Sequence, residues 1–273
     1  MSSSAAWVWH SKNKKEGEAL NDWFTWNDEK CTEHGIHMLT PPPFVIATER
    51  LETIEIPGRS GTVTRREGTY VHSDINLSAV CVIDTPYLAD EDEMGLRIID
   101  IAGWLRGDGK VGFWNKKGGF YKGRIANQLS LAKILRDNPH RSFSVEFQCN
   151  PYFYLDSGNN VITTTQDRVL LNPGNVPSEP LIRVTPVSGA TEGSLMLGGE
   201  TLVFDFTDLT CDIVVDCDAK IAYSGEAGNA LNPLILRNTR VSGKWPTLDE
   251  GSNKCMLVGG IASVAITPRW RCL

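Results

Sequence analysis

The chain has 273 residues and a mass of 30.1 kDa, room for roughly two domains at about 150 residues each. An apolar fraction of 41 % with 25 glycines is that of a globular protein and excludes a disordered one. The net charge of −6, from 27 Lys and Arg against 33 Asp and Glu, supplies no long-range attraction to nucleic acid or anionic lipid.

The first residues run serine-rich, then tryptophan-bearing, then basic, the wrong order for a signal peptide. No apolar run approaches the ~18 residues of a membrane span. The expectation is a chain kept soluble in a cytoplasm, with no membrane insertion. The seven cysteines are odd in number and form no C-x-x-C pair. They read as reduced, mostly buried small hydrophobes, with a Cys211 to Cys217 bridge as the alternative in an oxidising setting.

In chain order, residues 1–22 form a polar arm bearing Trp7 and Trp9, with an aperiodic charged stretch from Ser11 to Glu18. Residues 23–154 read as a β domain with one helix. F-T-W-N from Phe24, Ile36 to Leu39, and Leu51 to Ile56 are strand-like, the last with Ile54 and Ile56 on one face. Pro41, Pro42 and Pro43 cannot lie in a central strand and mark a connection. Met94, Ile98, Ile101 and Leu105 fall at helical spacing, behind the acidic run Asp90 to Glu93 and ahead of Gly107 as a stop. Val111 to Trp114 and Gly119 to Ala126 predict a hairpin across N-K-K-G-G, and Phe143 to Phe147 a further strand. Leu129 to Leu135 fits helix or strand alike.

Leu155 to Asn160 is a linker by its turn residues, so residues 155–171 hold a linker and the first sandwich strand region. Residues 172–273 carry short β-like runs between Gly, Asn, Asp and Pro clusters, among them Thr201 to Phe206, Cys211 to Val215 and Ser263 to Thr267. That pattern predicts an antiparallel β-sandwich. The expected class is mainly β.

The chemical candidates resolve toward structure. E-T-I-E-I-P-G-R-S-G-T-V, Glu52 to Val63, sets two glycines around Arg59, but lacks the spacing and lysine of a phosphate loop. A turn accounts for it: Pro57 fixes φ, Gly58 and Gly61 accept positive φ, and Arg59 projects from the tip. Cys31, His34 and His37 supply three possible ligands without a second cluster to complete a tetrahedral site, and read as a surface turn. The acidic run lacks the alternation and central glycine of a calcium loop. No nucleophile elbow is present. The reading is no catalytic residue, no metal and no cofactor.

Trp23, Trp26, Trp104 and Trp114 read as core or interface residues, while Trp245 in the turn-like G-K-W-P is the best candidate for stacking on a sugar. A carbohydrate-binding adhesion module is therefore the alternative function. Lys116, Lys117, Lys122 and Arg124, interleaved with Phe120 and Tyr121, have the look of a nucleic-acid patch, but in a net-acidic chain they read as a solvated hairpin tip.

Five blocks in order resemble the distal tail proteins of long-tailed siphophages: Glu52 to Val63, F-Y-K-G-R-I, F-S-V-E-F-Q-C-N-P-Y-F-Y (Phe143 to Tyr154), N-P-G-N-V-P-S-E-P-L-I (Asn172 to Ile182) and V-A-I-T-P-R-W-R (Val264 to Arg271). The resemblance runs from Trp23 to the C-terminus. It implies an N-terminal β domain, with a helix and a β-hairpin, that closes into a homohexameric ring, and a galectin-like C-terminal sandwich. It implies a place in the virion tail tip after assembly in the host cytoplasm. The partners would be further copies of the chain, the tail tube protein, the tape-measure protein and a hub or receptor-binding protein. Interface residues are expected on the turn and hairpin of the first domain: Ile54, Ile56, Pro57, Arg59, Trp114 and Tyr121.

Overall fold

The run I-N-L-S-A-V-C-V-I alternates apolar and small or polar residues, and it forms a nine-residue strand, Ile75–Ile83, burying Ile75, Leu77, Ala79, Cys81 and Ile83 on one face. A 14-residue strand, Ser142–Leu155, pairs antiparallel with it and turns Phe143, Val145, Phe147 and Cys149 to the same side. These two strands anchor the first of two units, Met1–Tyr152 and Phe153–Leu273. The computed structural model describes residues 21–48, 51–55, 57–58, 60–66, 74–83, 91–129, 142–209, 211–224 and 240–273. The arm up to residue 20 and most of the ambiguous stretch 129–135 lie outside them.

In chain order the first unit contains β1 (Phe24–Trp26), β2 (Glu29–Lys30), β3 (Ile36–Thr40), β4 (Leu51–Glu55), β5 (Thr62–Arg66), β6 (Ile75–Ile83), α1 (Glu91–Trp104), β7 (Asp108–Phe113), β8 (Lys116–Ile125) and β9 (Ser142–Leu155). One antiparallel sheet runs β2-β1-β7-β8-β9-β6-β3, and β4 and β5 pair with each other as a separate ribbon. Aromatic rings fill the inner face: Phe147 meets Phe24 at 5.5 Å and Phe113 at 5.8 Å between ring centres. The helix packs here, with Ile101 buried and Trp104 stacked on Phe24 at 5.6 Å. It ends at Trp104, ahead of Gly107, which takes φ +75° in the turn into β7.

The hairpin departs from its sequence reading. Its strands reach further toward each other, with Phe113 opposite Lys116, and the turn is made by Trp114 and Asn115 alone. Gly118, expected in the turn, lies inside β8 at φ +88°, where the strand carries a conformation that suits glycine. The pairing shifts register between Val111 and Phe113, where the single residue Gly112 on β7 faces four on β8, an irregularity that absorbs three extra residues of β8.

The second unit is an antiparallel β-sandwich. One sheet runs β10 (Ile162–Thr164), β19 (Ile261–Thr267), β12 (Leu181–Pro186), β15 (Ile213–Asp216), β16 (Ile221–Ser224). The other runs β11 (Arg168–Asn172), β18 (Gly251–Gly259), β13 (Glu192–Leu197), β14 (Glu200–Asp205), β17 (Val241–Gly243). Ile182, Val184, Val215, Val264 and Ile266 from the first sheet meet Leu195, Leu197, Leu202, Phe204 and Cys255 from the second in one core. The segment read as a linker begins inside β9 and continues as a short 3-10 turn, Asp156–Asn159. The last residues of β9 pair with β20 (Arg271–Cys272), Tyr154 opposite Arg271.

Candidate assembly surface

The tip of the β7–β8 hairpin is built around a buried lysine. Lys116, expected in a solvated tip, is only 5 % exposed. Its ammonium lies 5.1 Å from the ring centres of Phe44 and Tyr121 and 5.7 Å from that of Phe113. It also donates a hydrogen bond to the Pro43 carbonyl at 3.1 Å. Three ring faces and a carbonyl oxygen replace the water a lysine otherwise keeps. Loss of water is the main cause that drops its pKa to about 8, partly offset by Cys149. Beside it, the Asn115 amide donates to the Pro42 carbonyl at 3.3 Å. The sequence reading missed this because the cage needs Phe44, far away in the chain.

The segment these residues hold is the proline connection between β3 and β4. Residues 41–48 run without ladder pairing, burying Pro42 and Ala47. Phe44 and Ile46 stand 75 % and 83 % exposed, with Leu39 and Val45 beside them in sequence. Helix α1 also turns apolar side chains outward, Leu96 and Ile99.

The residues singled out by sequence fall in different settings. Ile54 on β4 and Pro57 and Gly58 beyond it are exposed. Ile56 and Arg59 lie outside the described residues. Trp114 is half-buried at the hairpin tip, and its indole N–H is buried with no partner among the described residues. Tyr121 is buried within its own unit as a wall of the Lys116 cage, and burial raises its pKa. Trp245, read as exposed, is half-buried and packs against the sandwich core.

Cys31, His34 and His37 go to separate partners. Cys31 is buried, its sulfur accepting from the Phe24 amide, and burial pushes its thiol up to about 12. His34 bridges Asp100 at 2.9 Å and Glu29 at 3.3 Å and stacks on Trp104, tying the turn before β3 to α1. His37 pairs with Asp22 at 2.7 Å. Among the described residues no cluster of His, Cys, Asp and Glu could hold a metal ion. All seven cysteines are unbridged, five of them buried. Of the remaining basic residues near the hairpin, Arg124 is bonded to Gln148 through two nitrogens, at 2.9 and 3.1 Å, and Lys110 lies over Phe120. No helix among the described residues is long and apolar enough to cross a membrane.

No family model matches this sequence, and no curated protein does. Solved phage structures share its fold, among them the following two. The Dit protein of phage SPP1, described as a paradigm of the hub adsorption apparatus in phages infecting Gram-positive bacteria, is similar over 89 % of this chain and 96 % of its own, with a TM-score of 0.63 and 17 % identity. A chain of the phage P2 baseplate, in its activated conformation with calcium, is similar over 91 % of this chain and 97 % of its own, with a TM-score of 0.52 and 9 % identity. The mainly β fold of this chain is that of the phage distal tail protein Dit.

Proposed function

We propose that this chain is the distal tail protein of a long-tailed phage. Six copies form a ring that joins the tail tube to the hub or receptor-binding proteins and surrounds the path of the tape-measure protein and DNA. The observation that carries this reading is the extent of the likeness to SPP1 Dit, which spans both units and nearly the full length of each chain. The surface of the first unit supports it. A ring closed by rotation needs two different complementary faces on each subunit. The strap at Phe44 and Ile46, the ribbon around Ile54 and Pro57, and the outer side of α1 at Leu96 and Ile99 all expose apolar groups that an isolated subunit leaves in water. In this reading the exposed turn from Pro57 and the tip at Trp114 meet neighbouring subunits. The net charge of −6 suits a channel that passes DNA without holding it.

Gold-labelled antibody against the chain, applied to the phage particles that carry it, tests the placement. The expected label sits at the tail tip. Label on the head or distributed along the tube contradicts the assignment.

A further inference from the structure

The strap 41–48 poses a hydrogen-bonding problem set by its sequence. Pro41, Pro42 and Pro43 have no backbone N–H, so their carbonyls are the only backbone groups through which this stretch can be held. Two of those carbonyls are met by side chains of consecutive residues at one hairpin tip, Asn115 to Pro42 and Lys116 to Pro43. The same lysine attracts the ring of the next strap residue, Phe44. The strap in turn leads from β3, a member of the large sheet, to β4, which pairs only with β5 among the described residues. A two-stranded ribbon is marginal alone and takes its direction from its roots. The described root of the β4–β5 arm is this strap.

We propose that Asn115 and Lys116 form a latch that fixes the strap 41–48 and, through it, the direction of the β4–β5 arm. This rests on the ring reading in one respect: the arm then meets the next subunit at the angle that closes the ring. Lys116 is a positioning residue, acting through Pro43 and Phe44. Its cation is the working feature, since an apolar side chain of similar length fills the cage but neither donates to the carbonyl nor draws the rings.

The test uses the full chain with Lys116→Met and Asn115→Ala, digested by chymotrypsin at pH 7, with cutting after Phe44 followed by mass spectrometry. Cleavage at a pinned strap requires local opening, so its rate reports the latch. Lys116→Met is expected to speed this cut at least about ten-fold, and Asn115→Ala to speed it less, with circular dichroism and the cutting of the second unit unchanged. A Lys116→Met rate equal to wild type overturns the latch. Where wild type forms rings, Lys116→Met is expected to give fewer or irregular ones. Normal rings despite faster cutting overturn the link to the arm. If wild type forms no ring, the functional reading fails while the cleavage rates still decide the latch.

Discussion

Lys116 and the buried thiols give the protein opposite responses to alkali. The lysine is charged in both states below pH 8, and between about 8 and its unfolded value of 10.5 the unfolded chain binds the extra proton. Its contribution therefore improves as pH rises through that window and is lost as pH falls through about 8. Relative to Lys116→Met, wild type is expected to gain on the order of 1–2 kcal/mol between pH 8 and 10.5, after allowing for solvent screening. Paired urea titrations at the two pH values check it, and a constant difference contradicts the caged amine. The thiols run the other way. Burial is the main cause that pushes Cys149 and Cys217 up to about 12 and Cys255 up to about 11, so the folded chain keeps protons that the unfolded one loses above about 9. Their contribution is complete below pH 9 and declines above it. With reductant present, the wild-type melting temperature is expected to fall between pH 9 and 11 despite Lys116, and a flat profile counts against these burials.

At the scale of elements, the first unit hangs on one aromatic cluster shared by four elements. Phe147 on β9 touches Phe24 on β1, Trp26 beside it, and Phe113 on β7, under the helix. Phe147→Ala is expected to cost about 3–5 kcal/mol, because the rings of Phe24, Trp26 and Phe113, fixed on two other strands, cannot all collapse into the space. Chemical denaturation measures it, and a loss under about 1 kcal/mol places the core elsewhere. In the second unit, Asp216 ends β15 by accepting from the amides of Asp218 and Ala219, and it holds Arg269 through two bonds at 2.7 and 3.0 Å. Burial, which acts to raise its pKa, is outweighed by Arg269 and those amides, so the carboxyl stays below its usual range. Its stabilisation is present above about pH 4 and is lost as pH falls through the lowered value. Asp216→Asn is expected to remove most of that acid sensitivity, measured as the change in stability between pH 5 and 2. An unchanged acid profile excludes this pair as its source.

Such elements show what a sequence carries locally. The strand at Phe143 to Phe147 and the helix through Ile101 were legible because apolar residues recur with a period within a few residues. The two-residue turn at Trp114 and Asn115 was not, because Gly118 and Gly119 mimic a turn while they lie in the irregular part of β8, between the paired residues Lys116 and Tyr121. The cage of Lys116 was also hidden. Its walls come from β7, β8 and the strap, and only the folded sheet brings Phe44 to the hairpin tip.

For the whole molecule, the mainly β class with a single helix was readable from patterning alone, whereas strand order was not. The order β2-β1-β7-β8-β9-β6-β3 places β7 beside β1, from the start of the chain, which no local signal encodes. Function has the same character. Among the described residues no cluster of His, Cys, Asp and Glu could hold a metal ion, and the case for a tail ring rests on architecture and on apolar surface left open in the first unit. The most direct measurement is the solution mass of the purified full chain by light scattering, with negative-stain images of the same fraction. The account predicts a particle near 181 kDa, six times 30.1 kDa, seen as closed rings. A monomer of 30.1 kDa at every concentration tested, with no rings on the grid, contradicts it.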